Sequence, residues 1–153
     1  MSAVVTLTAA EVRPLRRRVL RPHQAEAELV YPGDDAPGTL HAGIRDGGAL
    51  VGIATISREP MPGCEAPDAW RVRGMATAPE ARGRGHGAAL LEACLTHAAA
   101  QGGRRAWCNA RTPAAGFYAR HGFAVRGEEF VLPGIGPHLL MWRELGAPRP
   151  SAG

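Results

Sequence analysis

The chain has 153 residues, of which 45% are apolar and 21% are charged, and these proportions suit one globular domain with a hydrophobic core. All 18 basic residues are arginines, and the net charge is +4. No apolar run is long enough to span a membrane, and residues 1–7 lack the pattern of a signal peptide. We therefore expect a cytoplasmic protein without membrane contacts. The three cysteines, an odd number without metal-ligand spacing, predict neither a disulfide framework nor a metal site.

The basic charge does not by itself predict a nucleic-acid partner. The arginines form one compact cluster, residues 16–18, which falls on the face of a predicted helix. Aromatic residues make up 5% of the chain and none interleaves with that cluster, as a stacking platform for bases would need. We therefore expect no nucleic-acid binding.

The first half of the chain predicts a short strand, a helix and an antiparallel meander. Residues 4–7 predict a strand, and Thr8 and Glu11 have capping-box spacing for the helix that follows. Residues 22–38 are rich in proline, glycine and aspartate, and we expect them to be irregular. Residues 40–45 and 49–57 flank a glycine turn and predict a hairpin, and residues 69–76 alternate as a third strand, antiparallel to the second.

The second half predicts a parallel crossover and a closing hairpin. A helical pattern over residues 88–100 ends at a glycine pair and precedes a strand at 105–108, which makes a βαβ unit. Thr112 and Pro113 predict the start of a helix over 114–121. Residues 123–131 and 138–145 predict two more strands. The expected fold class is therefore α/β (an α+β mixed sheet), with a single domain over 1–145 and a frayed tail over 146–153.

The segment Arg82-Gly83-Arg84-Gly85-His86-Gly87 lies between the third strand and the crossover helix. Glycines allow sharp turns and close approach of a ligand to the backbone, and a helix start directs unpaired N–H groups and a positive dipole end to the same place. The segment therefore predicts a phosphate or pyrophosphate site. A P-loop would need a lysine, which this chain lacks, and a Rossmann site would need an acidic residue in the region 104–109, where there is none.

Three segments resemble the GNAT superfamily of acetyl-CoA-dependent N-acetyltransferases. Arg82-x-x-Gly85-x-Gly87 matches the family's Arg/Gln-x-x-Gly-x-Gly/Ala signature, residues 75–80 resemble its fourth strand and turn, and residues 117–123 resemble its F-Y-x-x-x-G-F segment. The resemblance implies a GNAT-like fold and acetyl-CoA as co-substrate. It also implies that the pantetheine arm runs between the fourth and fifth strands where these splay apart. The implied cofactor-binding residues are Met75, Ala76, Thr77, Arg82, Gly83, Arg84, Gly85, His86, Gly87, Ala88 and Asn109.

The resemblance further implies transfer of an acetyl group to a primary amine by direct attack. Tyr118 matches the family's usual general acid. An amine that is protonated at neutral pH also needs a base, and Glu128, Glu129 and His138 in the closing hairpin are the candidates. Strand alternation over 123–131 would place only one of the two glutamates inward.

The sequence leaves the acceptor open. Acidic residues at 59, 65 and 68 would favour a cationic amine, and protein N-termini, lysine side chains, polyamines and aminoglycosides all fit. We expect a small-molecule or peptide amine, and a homodimer is compatible with the resemblance. The alternative function is a non-catalytic acetyl-CoA-binding relative of the same fold, which would bind the cofactor and release no thiol.

Overall fold

The computed structural model describes residues 3–146, so the predicted tail lies, apart from Gly146, outside the described residues. Within that range eight strands form one sheet in the order β1-β2-β3-β4-β5-β8-β6, with β7 also paired to β8. The strands are β1 Val4–Leu7, β2 Leu40–Asp46, β3 Ala49–Arg58, β4 Ala69–Thr77, β5 Arg105–Arg111, β6 Ala124–Val125, β7 Phe130–Leu132 and β8 Gly136–Glu144. The β4–β5 pair is parallel and the other pairs are antiparallel. The predicted mixed sheet, with its meander and its single parallel crossover, is confirmed.

Three α-helices in the described part of the chain accompany the sheet: α1 Ala9–Leu15, α2 His86–Ala100 and α3 Ala115–Arg120. The predicted capping box of α1 is present, since the Glu11 N–H donates to Thr8 Oγ1 and the Thr8 N–H donates to Glu11 Oε1. Helix α2 begins at His86, two residues earlier than predicted, because Gly85 adopts a left-handed conformation and serves as its N-cap. The crossover helix therefore starts inside the glycine segment itself.

The helices cover both faces of the sheet. On one face, the Trp70 ring meets His97 of α2 edge-on, with centroids 5.9 Å apart. On the other face, the π-helical turn Arg16–Leu20, which continues α1, lies over β3 and β4. Odd-numbered residues of β4 up to Arg73 point to this second face, because Arg73 lies opposite Thr55, the residue that Arg16 contacts.

Arg16, the first residue of the arginine cluster, lies in the interior of the protein. Its side chain is fully buried and donates to both carboxylate oxygens of Asp34, at 2.6 and 3.0 Å. It also donates to the Leu29 carbonyl and to Thr55 Oγ1. This ion pair joins the irregular segment before β2 to the centre of the sheet.

The predicted strand over 123–131 is also wrong in its middle. In this segment the strands that pair with β8 are β6 and β7. Residues 126–129 between them form an exposed loop, in which Arg126 keeps one backbone hydrogen bond to the Leu140 carbonyl at 2.8 Å. Gly127 there has φ +83°, a left-handed conformation that interrupts a strand. The loop contains no apolar residue that could hold it on the sheet. Strand alternation therefore does not apply to Glu128 and Glu129.

Candidate active site

Strands β4 and β5 separate partway along their length. Their parallel pairing ends at Arg71 and Trp107. Beyond that point, residues 72–77 of β4 and 108–111 of β5 form no backbone ladder with each other. On its other side β4 carries a bulge, because its register with β3 shifts between Arg73 and Ala76. Gly74 in the bulge has φ +60°, which a residue with a side chain adopts only under strain. The edge of β4 that faces β5 across the open wedge between the two strands therefore has no ladder partner over residues 75–77.

The glycine segment follows the open end of β4. Gly83 and Gly85 both have φ +80°, and a Cβ atom built on either would meet no described atom within 4 Å. The first N–H groups of α2, at His86, Gly87 and Ala88, have no acceptor within the helix. The backbone thus forms an open, donor-rich concavity of the kind that binds phosphate.

Gly87 has a different local role from the other two glycines. A Cβ atom at this position would lie 3.4 Å from the Phe117 ring, so the absence of a side chain lets α2 and α3 pack closely. The His86 ring nitrogen Nε2 is buried and has no hydrogen-bond partner among residues 3–146. An orphaned buried polar atom beside a donor-rich concavity is consistent with a bound polar ligand.

The two arginines of the segment are already engaged. Arg82 Nε donates to the Thr77 carbonyl at 3.2 Å and so joins the loop to the end of β4. Arg84 pairs with Asp46 at 3.1 Å, and both side chains are more than half exposed. An exposed pair of this kind contributes about 0–1 kcal/mol, so an incoming phosphate can displace it at little cost.

A cavity of ≈ 190 Å³ lies beside the wedge and is lined by Tyr118 from α3, Asn109 from β5 and His138 from β8. Tyr118 is 7% exposed, and burial raises the pKa of its phenol, with smaller contributions from Cys108 and Cys94. His138 Nδ1 lies 2.8 Å from the Gly136 carbonyl oxygen. A neutral His138 therefore carries its proton on Nδ1 and leaves Nε2 as an acceptor.

Cys108 also lines this cavity but is not equipped to act as a nucleophile. Burial raises the pKa of its thiol to about 12, against a small opposing effect of Arg71. The reactive form of cysteine is the thiolate, which such a pKa makes scarce at neutral pH. Cys108 is 2% exposed and has the environment of a small buried hydrophobic residue.

The structure does not bring the acidic candidates into the cavity. Glu128 and Glu129 are exposed on the 126–129 loop, and neither lines the cavity. Glu59 pairs with Arg71 at 2.8 Å, and Asp68 lies 3.5 Å from Arg105. The acidic groove that would have favoured a cationic acceptor is therefore absent from the part of the chain that the structure describes.

Sequence reasoning missed several residues that line the cavity. Alternating arginines in a strand are typical of a solvated face, but Arg71 and Arg73 are half-buried beside the wedge. Their alternation along β4 was visible, whereas no signal in the irregular segment 22–38 singled out Tyr31, whose position depends on tertiary packing. Leu20, Arg21 and Arg111 are among the other lining residues that were missed.

Comparison with known proteins identifies the family. The profile of the acetyltransferase (GNAT) family matches residues 8–123. An N-acetyltransferase of uncharacterised function from Bacillus subtilis (strain 168), YitI, is 36% identical over 149 residues, which cover 97% of this chain and 100% of that protein. The chain belongs to the GNAT acetyltransferase family, which makes it an acetyl-CoA-dependent acyltransferase, and the resemblance found in the sequence is confirmed.

Solved structures agree on the fold. Escherichia coli ElaA superposes with a TM-score of 0.77 at 19% identity and covers 94% of this chain and 100% of its own. A phosphinothricin acetyltransferase from Sinorhizobium meliloti, solved in complex with AcCoA, superposes with a TM-score of 0.74 at 22% identity and covers 95% of this chain and 89% of its own. At these identities the likeness establishes the architecture and not the acceptor.

The described residues contain neither a membrane-spanning helix nor a cluster of metal-binding side chains. No helix among residues 3–146 has the length and apolarity needed to cross a membrane. In the same range, no three or more histidine, cysteine or acidic side chains are grouped as a metal site would require.

Proposed function

We propose that this protein transfers the acetyl group of acetyl-CoA to a primary amine of a small molecule or peptide by direct attack of the amine. The observation that carries the proposal is that Tyr118 and His138 line one cavity at the place where β4 and β5 separate. These two residues supply a proton donor and a proton acceptor beside the same wedge.

The residues around the wedge fit acetyl-CoA, which when bound supplies an acetyl group activated as a thioester. The open concavity at Gly83 and Gly85, with the free N–H groups that begin α2, would hold the pyrophosphate. The free edge of β4 at residues 75–77 would hydrogen-bond the pantetheine arm and orient the thioester carbonyl, and Asn109 would contact the arm from β5.

Tyr118 and His138 have complementary roles in this mechanism. The amine nitrogen forms a bond to the acetyl carbon as the carbon–sulfur bond breaks, His138 Nε2 accepts the proton of the amine, and Tyr118 donates a proton to the departing thiolate. A thiol near pKa 8.5 and a phenol near 10 are close to balance in water. Burial raises the pKa values of both Tyr118 and the neighbouring Cys108, so a thiolate in the same surroundings is destabilised along with the phenolate.

Direct attack is favoured over an acyl-enzyme by the state of Cys108. The cavity contains this one cysteine, and its thiol is held protonated by burial. A transfer step that passes through the enzyme would need a thiolate at this position.

The test is a thiol-release assay with acetyl-CoA and a panel of primary amines, with product mass measured in parallel. Amine-dependent thiol release with an acetylated product supports the proposal. Tight acetyl-CoA binding with no thiol release for any amine would instead support the alternative of a non-catalytic acetyl-CoA-binding protein.

A further inference from the structure

The cavity beside Tyr118 is lined by cationic side chains. No aspartate or glutamate among the described residues lines it, whereas four arginines from three parts of the chain do. These are Arg21, Arg71, Arg73 and Arg111. A half-buried group of like charges raises the free energy of the folded protein unless something of opposite charge compensates it.

One of the four arginines is already neutralised. Arg71 donates to Glu59 Oε2 at 2.8 Å and lies over the Trp107 ring, 4.7 Å from its centroid. Both partners fix its position at the edge of the cavity. The charge of Arg71 is therefore compensated, and the uncompensated positive charge of the cavity comes from the other three arginines.

The other three arginines have no carboxylate within 4.0 Å in residues 3–146. Arg21 and Arg111 both donate to the Leu20 carbonyl, at 2.9 and 3.0 Å, which brings two guanidinium groups to one oxygen atom. The pKa of Arg111 is lowered by burial and then by the Arg21 charge, and the pKa of Arg73 is lowered by burial and then by the Arg71 charge. Each shift reports a cation that its surroundings disfavour.

Arg73 is held in place without being neutralised. Its guanidinium lies over the Tyr31 ring, 4.5 Å from the centroid, and the buried Arg16 lies over the same ring at 4.0 Å. The Tyr31 N–H donates to Asp34 Oδ2 at 2.9 Å, which ties the ring to the buried ion pair. Stacking covers a face of the guanidinium but leaves its N–H groups available to bind an anion.

We propose that the acceptor amine carries a carboxylate or phosphate group, which binds Arg73 and Arg111 while its amine lies beside Tyr118 and His138. This inference rests on the proposed function and names the substrate class of the same site. An arginine fork matches either anion with two hydrogen bonds, and the anion would compensate the charge that the fold leaves unpaired. The acceptor is therefore the opposite of the cationic amine that the acidic residues of the sequence had suggested.

The cationic cavity is distinct from the predicted pyrophosphate site. None of residues 82–88 lines it, and Arg73 precedes the bulge of β4 whereas the glycine segment follows the end of that strand. Its volume of ≈ 190 Å³ suits a small molecule. An acceptor of amino-acid size fits this space.

The experiment compares matched acceptors with and without the anion. Thiol release is measured with the standard L-amino acids and their C-terminal amides, with O-phosphoethanolamine for the phosphate arm, and with putrescine as the cationic amine. We expect kcat/KM to be at least tenfold higher for the best anionic acceptor than for its uncharged or cationic counterpart. Amidation lowers the pKa of the amine, so a larger fraction of the amide is in the reactive neutral form. Without an anion site the enzyme should therefore prefer the amide, and a preference for the acid would be strong support for the site.

Variants locate the effect. Arg73→Gln and Arg111→Gln should each raise KM for the best anionic acceptor at least tenfold and leave the Kd of acetyl-CoA unchanged, and Arg73→Lys should recover part of the loss. The matched control is Arg104→Gln, an exposed arginine just before β5 that does not line the cavity. Thermal unfolding of each variant distinguishes a misfolded protein from one that has lost only the contact with the anion. If both variants misfold, the acceptor panel on the wild-type protein still tests the inference.

A binding measurement separates this inference from the proposed function. Calorimetric titration of the same acceptors into protein saturated with CoA reports the anion preference without turnover. If no amine releases thiol but the anionic amines bind at least tenfold more tightly than their counterparts, the proposed function fails and the anion site stands. Equal use and equal binding of acids, amides and putrescine, or an unchanged preference in both arginine variants, would overturn the inference.

Discussion

Gly74 lies directly against Arg16: a Cβ atom built on this glycine would be 3.1 Å from Arg16 Nε. Arg16 cannot move away, because Asp34, Thr55 and the Leu29 carbonyl hold its guanidinium. The bulge of β4 thus packs against a buried ion pair. A residue that borders the wedge and a residue of the core share one contact.

Replacement of Gly74 by alanine should therefore cost more than backbone strain alone. The matched control is Gly47→Ala, because Gly47 also has φ +60° but a Cβ there would meet no described atom within 4 Å. Adopting that φ costs about 1–2 kcal/mol for both variants, and the contact with Arg16 should add about 1–3 kcal/mol for Gly74→Ala. Urea unfolding measures both values, and equal losses would show that Arg16 gives way freely.

The Arg16–Asp34 pair should dominate stability among the ion pairs. Asp34→Asn leaves Arg16 buried without a counterion and should cost about 3–5 kcal/mol. The control, Arg18→Gln, breaks a pair with Glu80 whose side chains are 54% and 56% exposed, and should leave the free energy of unfolding nearly unchanged because solvent screens the pair. Comparable losses in chemical denaturation would contradict this ranking.

The same pair predicts an acid-dependent stability. Burial opposes ionisation of Asp34, but hydrogen bonds from Arg16 and from the Tyr31 N–H outweigh it, so its pKa lies below the ordinary value. The ionised carboxylate therefore adds stability above the unfolded pKa of about 3.9, and this stability is lost as the pH falls through the lower folded value. The difference in unfolding free energy between wild type and Asp34→Asn should be constant at neutral pH and shrink below about pH 4.

Local signals explain what the sequence predicted correctly. The Thr8 capping box, the glycine turn before Ala49 and the glycine segment before α2 each act within a few residues of chain, and each is found where it was expected. The fold class and family followed from the order of such elements. The separation of β4 from β5 was predicted from the family resemblance alone.

The rest depended on contacts between distant residues. Arg16 is buried because Asp34, eighteen positions away, neutralises it, and nothing in the run of three arginines distinguishes it from Arg17 and Arg18. The loop at 126–129 removed Glu128 and Glu129 from the cavity because the pairing of β8 on that side is interrupted. The charge of a cavity assembled from several elements is a tertiary property, so the cationic lining could not be derived from the sequence alone.

The glycine segment gives a prediction for cofactor binding. Gly85→Ala should raise the Kd of acetyl-CoA about tenfold, or 1.4 kcal/mol, because φ +80° is strained for alanine and relief of that strain rotates the first N–H groups of α2. Gly102→Ala is the control, since Gly102 follows the other end of the same helix with φ +86° and open space around it. Both variants should lose similar stability, and only Gly85→Ala should lose affinity in calorimetry.

Loss of the phenol should affect turnover and not binding. Tyr118→Phe should lower kcat about 10²–10⁴-fold, because the departing thiolate loses its proton donor. The Kd of acetyl-CoA and the unfolding temperature should stay near wild type, since the ring keeps its edge contacts with Phe117 and Phe123. An unaltered rate would remove Tyr118 from the mechanism and leave it as a core aromatic residue.

The assignment of the base to His138 can be tested through the protonation of the substrate. An alkylamine with a pKa near 10.4 is mostly protonated at neutral pH, so a variant without the base should suffer most there and least as the pH approaches that value. His138→Gln should therefore lower kcat/KM about 10²–10⁴-fold at pH 7, with a deficit relative to wild type that shrinks steadily towards high pH. The comparison variant is the double substitution Glu128→Gln and Glu129→Gln on the exposed 126–129 loop. If that variant shows the pH-dependent deficit and His138→Gln does not, the proton is accepted at the loop, and the cavity supplies only Tyr118.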